Sequence, residues 1–243
     1  MFSDILSNPE YKELIDSNPK TQQLLELLQD DYTMTMRKIT HEIRNSLTMI
    51  NSSLQIIESS HIEVKDFKYW SSTMEDVKYL IDFMSEISVL NNSGRLNISS
   101  FDIYDMLYSL KKSFSTLNQK INISIMCDDN IPPIKGDITK LRQVFINLLK
   151  NATEALANTK APAIYINISL NNSHLIIKIL DNGPGIPKEN ISQIFNPMVS
   201  FKNGGTGLGL AISKNIIDAH KGTISVESTV NEGALFTVKL PVN

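Results

Sequence analysis

The chain has 243 residues, one fifth of them charged, and a formal net charge of −3. That length allows one large domain or two modest ones, and the charge balance excludes the basic face or stripe of a nucleic-acid binder. A single cysteine, Cys127, excludes an internal disulfide and a cysteine metal cluster, and fits a reducing cytosol.

Cys127 sits in an apolar-then-acidic stretch, Ile123 to Asp129, and reads as a small packed side chain. No apolar run approaches the ~20 residues needed to span a bilayer. Acidic residues without a basic region between Met1 and Glu10 exclude a secretory signal. The expected location is therefore the cytoplasm.

The first third reads as helical. Asn8-Pro9 and Asn18-Pro19 each set a capping side chain before a proline at the first helical position, giving two helix starts. The second opens a helical pattern with neither glycine nor proline until Gly94. Ser59-Ser60-His61 interrupts its apolar period, so the spacing predicts two helices, 19–58 and 65–92, in an antiparallel hairpin. Phe67, Trp70, Met74, Val77, Ile81 and Met84 recur by threes and fours as a coiled-coil seam. A lone hairpin cannot cover two apolar stripes, so pairing with a second copy into a four-helix bundle, a homodimer, is expected.

Asn91-Asn92-Ser93-Gly94 ends the hairpin, dividing a helical domain, 1–94, from a mixed one, 95–243. The second is expected to hold a helix over Ile103–Thr116, a strand over Asn122–Met126 and a loop at Ile131-Pro132-Pro133. A helix capped by Asp137 follows, reaching about Asn158. Ile164–Leu170 and Leu175–Leu180 read as antiparallel strands joined at Asn171-Asn172. A helix over Leu208–His220 and closing strands at Thr223–Glu227 and Ala234–Leu240 complete an α+β sandwich.

At about 100° per residue, Ile39, Ile43, Leu47, Ile50, Leu54 and Ile57 fall within roughly 80° of one another. His41 lies about 165° from the centre of that stripe and faces solvent, with Arg37, Asn45 and Thr48 within about 40° of it. Taken alone this is a surface histidine. Glu42 beside it and Asn45 one turn on allow more: a carboxylate can hold one ring nitrogen and leave the other nucleophilic. His61, His174 and His220 lack such neighbours and read as structural or solvated.

Three further elements suit a nucleotide. Asn147 and Asn151 share one helix face, where two amides can ligate Mg²⁺ and orient a phosphate; such pairs are also commonly just solvated. Asp181-Asn182-Gly183-Pro184-Gly185-Ile186-Pro187 follows a strand, its glycines admitting a flat ligand and Asp181 able to accept from an adenine amine; an ordinary turn would look similar. Gly204-Gly205-Thr206-Gly207-Leu208-Gly209-Leu210 opens a helix and offers backbone amides to an anion. Its spacing is neither the dinucleotide fingerprint nor the P-loop.

In this order the elements resemble the bacterial two-component sensor histidine kinases, above all the sporulation and nitrogen-regulatory types. His41-Glu42-Ile43-Arg44-Asn45 resembles their phosphoacceptor box, and Asp137 to Ala155 their asparagine box. Asp181 to Pro187 matches the first glycine box, Phe195, Pro197, Ser200 and Lys202 the phenylalanine box, and Gly205 to Leu210 the second glycine box. The resemblance implies a dimerising hairpin joined to an ATP-binding domain of the type shared with Hsp90, gyrase and MutL. It implies ATP and Mg²⁺ as cofactors, with Asn151 the Mg²⁺ ligand and Asn147 on the phosphate side. Asp181, Gly183 and Gly185 would form the adenine pocket, and Lys202, Gly205, Thr206, Gly207, Leu208 and Gly209 would cover the phosphates. His41 would take the γ-phosphoryl group, helped by Glu42, and pass it to the receiver domain of a response regulator; Asn45 matches the position that orients water for dephosphorylation.

Ser46, Phe201 and Asn196 depart from the pattern, standing where proline, a hydroxyl residue and an acidic residue are usual. Ser46 predicts a weaker kink or none below the phosphoacceptor. Only about 20 residues precede the long helix, too few for a sensory domain. The signal would thus arrive through a separate sensor protein, or the chain is a shortened one. Two other readings share parts of the pattern: a phosphorelay carrier whose ATP domain serves only docking, and a serine kinase of the anti-sigma type, which needs neither hairpin nor His41.

Overall fold

A computed structural model describes residues 18–93, 96–171, 173–202 and 205–242. The expected helix start at Asn8-Pro9 lies outside these residues, as do Gly94, Asn172 and Gly204. The chain parts into two compact units, dividing between Asn91 and Asn92.

In the first unit, α1 spans Pro19–Ser60; Asn18 caps it by accepting from the Lys20 amide, with Pro19 at the first helical position. The helix runs unbroken past Ser46, whose hydroxyl donates to Glu42 O at 3.0 Å. Serine there retains the amide that proline would lack, so no kink is imposed. Helix α2, Trp70–Asn92, begins five residues later than the spacing predicts. Residues Ile62–Asp66 instead form a 3₁₀ turn, Phe67 is extended at its end, and Tyr69 has φ of +89°. Phe67 is thus outside the seam, and 61% exposed. Glu58 ties this turn together: it accepts from Trp70 Nε1 at 2.9 Å and pairs with Lys65 at 3.1 Å. The Trp70 hydrogen bond, then Lys65, hold its carboxyl below the ordinary value. Arg44 Nη2 reaches across to donate to Met84 O at 3.2 Å.

In the second unit, β2 (Asn122–Cys127), β4 (Ala163–Asn171), β5 (His174–Asp181), β7 (Gly233–Pro241) and β6 (Thr223–Thr229) form one sheet in that order. All neighbours are antiparallel except β2 and β4, which run parallel. Strands β1 (Ser99–Phe101) and β3 (Ile134–Gly136) make a separate small ladder. Helices α3 (Ile103–Leu117), α4 (Ile138–Ala155) and α6 (Gly209–Ala219) supply the other layer; a short α5 covers Lys188–Ile191. Leu107 and Leu110 of α3, Leu148 and Leu149 of α4, and Ile212 and Ile216 of α6 are buried, as are the alternating inward residues of β4, β5 and β7. This is the expected α+β sandwich. Cys127 is part-buried, and burial, then the neighbouring aspartates, push its thiol up, away from reactivity.

Asp137 joins three segments. Its Oδ1 accepts from the amides of Thr139 and Lys140 as the α4 cap, and its Oδ2 from the Asn97 amide at 2.9 Å. Burial opposes ionisation, but those amides and the Lys140 charge together hold the carboxyl below its ordinary value. Its stabilising contribution is therefore present above the ordinary aspartate range and is lost as pH falls through the lowered value.

The Asp137 amide in turn donates to His220 Nε2 at 2.9 Å, so the ring proton sits on Nδ1 and is given to Ile216 O at 2.7 Å. Among the three histidines read as structural or solvated, this one is structural: it staples the start of α4 to the end of α6. Replacing His220 with alanine is expected to destabilise the second unit by about 2–4 kcal/mol, through a cavity and an orphaned amide. Urea unfolding measures this, and a loss below about 1 kcal/mol, the typical worth of one hydrogen bond, would contradict the assignment.

Candidate functional site

The sheet, α4 and the start of α6 position the second unit's candidate residues. Asp181 ends β5 and is 3% exposed; its Oδ1 accepts from the Gly183 amide at 2.9 Å. Burial pushes its carboxyl above the ordinary value, against the opposing pull of the Gly183 and Ala234 amides and of Lys202. A carboxylate so placed is pre-oriented and poorly hydrated, and a donor from a ligand would relieve it. Gly185 has φ of +72°, and a Cβ there would lie 2.2 Å from Thr229 O, so only glycine lets this loop pass the β6–β7 turn.

Asn147 and Asn151 project one turn apart from α4. Asn147 Nδ2 donates to Ser213 Oγ at 3.0 Å, and a Cβ on Gly209 would stand 2.3 Å from Asn147 Oδ1. The start of α6 is thus packed directly on the Asn147 amide. Asn151 Oδ1 accepts from Lys202 Nζ at 3.2 Å, and the same ammonium donates to Glu154 Oε2 at 2.8 Å. Thr206 Oγ1 accepts from the Leu208 amide at 3.3 Å, and Gly205, Thr206, Gly207 and Leu208 lead into α6 at Gly209. Phe201 is 55% exposed. Nothing in the structure explains asparagine at 196.

The sequence singled out Asp181, Asn147, Asn151, Lys202 and the glycines, and the fold brings Lys202 onto Asn151 and Gly209 onto Asn147. Glu154 and Ser213 escaped it. Glu154 carried a usable signal, since it lies three residues beyond Asn151 on one helix face. Ser213 did not: its pairing with Asn147 spans 66 residues.

His41, Glu42 and Asn45 belong to the first unit, and all three are exposed on α1. The ring of His41 makes no hydrogen bond to the Glu42 carboxylate; successive residues leave an α-helix about 100° apart. Thr40, beside it, is buried and donates to Met36 O at 2.7 Å.

A family profile described as "Histidine kinase-, DNA gyrase B-, and HSP90-like ATPase" matches residues 136–243. The solved catalytic domain of the histidine kinase ThkA is 30% identical, covering 60% of this chain and 96% of that one, with a TM-score of 0.55. The chain belongs to the histidine kinase family. Sporulation kinase C of Bacillus subtilis (strain 168) is 32% identical over 209 residues, 84% of this chain. This histidine kinase chain spans about half the length of that relative, 47%. Full-length ShkA, solved with AMPPNP, shares the fold over 86% of the chain, with a TM-score of 0.71 at 22% identity. No helix among the described residues is long and apolar enough to cross a membrane.

As a histidine kinase ATP-binding domain, the second unit presents fitting donors. A cation already rests on Asn151 Oδ1, the ammonium of Lys202, with a carboxylate beside it. An amide oxygen is also among the oxygen donors that hard divalent ions take. The buried carboxylate of Asp181, by contrast, suits a neutral N–H donor.

Proposed function

We propose that this chain moves the terminal phosphoryl group of ATP onto its own His41, and from there onto an aspartate in the receiver domain of a response regulator. One observation carries the reading. An exposed imidazole on a long helix occurs in a chain whose second unit buries the Asp181 carboxylate beside Gly183, seats Asn147 on the start of α6 and sets Lys202 on Asn151.

Asp181 accepts from the adenine amine, and Gly183 and Gly185 leave room for the ring. Asn147 lines the phosphate side, Asn151 Oδ1 would hold Mg²⁺, and Gly205, Thr206, Gly207, Leu208 and Gly209 turn backbone amides toward the phosphates. Bound Mg²⁺ would neutralise part of the phosphate charge. A ring nitrogen of His41 attacks the γ-phosphorus; the N–P bond forms as the P–O bond to departing ADP breaks, and Glu42, its carboxylate turned toward the ring, takes the ring proton or holds the tautomer. Asn45, one turn along, orients water for the opposite task, removal of the phosphoryl group from the regulator.

A second copy of the hairpin covers the α1 stripe, where Ile39, Ile43, Ile50 and Ile57 are 41–49% exposed in one chain. The product is a homodimer built on a four-helix bundle, with domains at 1–94 and 95–243 and a cytoplasmic location. Incubation with γ-labelled ATP and Mg²⁺ tests the reading. Acid-labile, alkali-stable label on the protein is expected. Acid-stable label would point to serine or threonine, and failure to bind nucleotide would leave only the phosphorelay carrier.

A further inference from the structure

Glu154 holds the lysine that the nucleotide reading depends on. Its Oε2 accepts from Lys202 Nζ at 2.8 Å while the same ammonium donates to Asn151 Oδ1 at 3.2 Å. Asn151 and Glu154 are three residues apart on α4, so both oxygens leave one face of the helix. Lys150 approaches the other carboxylate oxygen only to 4.0 Å and is 66% exposed, which makes Lys202 the principal cation of Glu154.

The backbone at Lys202 is pinned. Ser200 Oγ accepts from the Lys202 amide at 3.2 Å and donates to the Lys202 carbonyl at 3.1 Å. The side chain is thus the part left to answer a ligand, and one ammonium cannot pair fully with both Glu154 and a phosphate. A divalent cation at Asn151 Oδ1 would meet the ammonium on the same oxygen, and like charge would drive the lysine away.

We propose that Glu154 is a positioning residue that holds Lys202 on Asn151 and releases it when a nucleoside triphosphate binds, the lysine exchanging a carboxylate for a phosphate. This rests on the nucleotide reading above and adds a residue to it. The exchange is gentle. Lys202 and Glu154 are 46% and 44% exposed, so water screens the pair and the hold amounts to a few-fold in affinity.

The test is a double-mutant cycle on nucleotide affinity, titrating trinitrophenyl-ATP in EDTA buffer into wild type, Glu154→Gln, Lys202→Met and the double variant. Glu154→Gln is expected to tighten binding about two- to fivefold, the worth of an exposed ion pair no longer to be broken. Lys202→Met should weaken binding, and adding Glu154→Gln to it should change nothing further. Equal tightening in both backgrounds would mean that Glu154 merely repels phosphate, and would overturn the proposal; so would no tightening. If wild type itself fails to bind, the nucleotide reading falls as well. Binding without coupling removes the Glu154 inference alone.

Discussion

His41→Gln is expected to reduce labelling from γ-labelled ATP to background while nucleotide affinity stays unchanged. The position is exposed on a continuous helix, and glutamine is a good helix former, so stability should move by no more than about 0.5 kcal/mol. What disappears is the nucleophilic nitrogen. Neighbouring hydroxyls cannot readily replace it. Thr40 is buried on Met36 O, while Ser46 and Thr48 donate to the carbonyls of Glu42 and Arg44. Label that survives in His41→Gln, measured by gel autoradiography, would contradict the assigned acceptor.

Asp181→Asn is expected to separate binding from stability. The substitution keeps the shape but leaves no full negative charge for the adenine amine. Loss of a hydrogen bond to a charged group, about 1.5–3 kcal/mol, weakens ATP binding about ten- to a hundredfold. Stability should respond differently. Burial raises the Asp181 carboxyl above its ordinary value, so in the window between the two the unfolded chain binds fewer protons than the folded one. Ionisation of Asp181 therefore lowers stability as pH rises through that window, and the cost persists above it. The asparagine variant lacks this term, so its stability should fall less, or rise more, across the same window. Urea titrations at a series of pH values read the difference; unchanged ATP affinity would remove Asp181 from the adenine pocket.

Long amphipathic periods and caps made most of this architecture legible. Asn18 and Asp137 cap the helices they precede, and the alternation in β4 and β5 matches their buried and exposed faces. The start of α2 was not legible, because the positive φ at Tyr69 carries no glycine or asparagine to announce it. Strands β1 and β3 have three residues each, too short for alternation to show, and they pair across a helix and a strand. The parallel pairing of β2 with β4 is likewise a tertiary choice.

At the candidate site, residues with short-range signals were singled out: Asn147 with Asn151, Asp181 with its glycines, His41 with Glu42. Those defined by long-range contact were not. His220 could be classed only as structural or solvated, since its bond to the Asp137 amide bridges 83 positions. The role of Glu154 required seeing where Lys202 comes to rest, 48 residues further along the chain.

The residue on which the phosphoryl group ends up is the most direct test of the proposed reaction. Mass spectrometry of the chain after incubation with Mg²⁺ and ATP, digested and kept at alkaline pH, should place one phosphoryl group on the imidazole of His41. An unmodified His41 peptide from protein with ATP bound, or a phosphoryl group on serine or threonine instead, would contradict it.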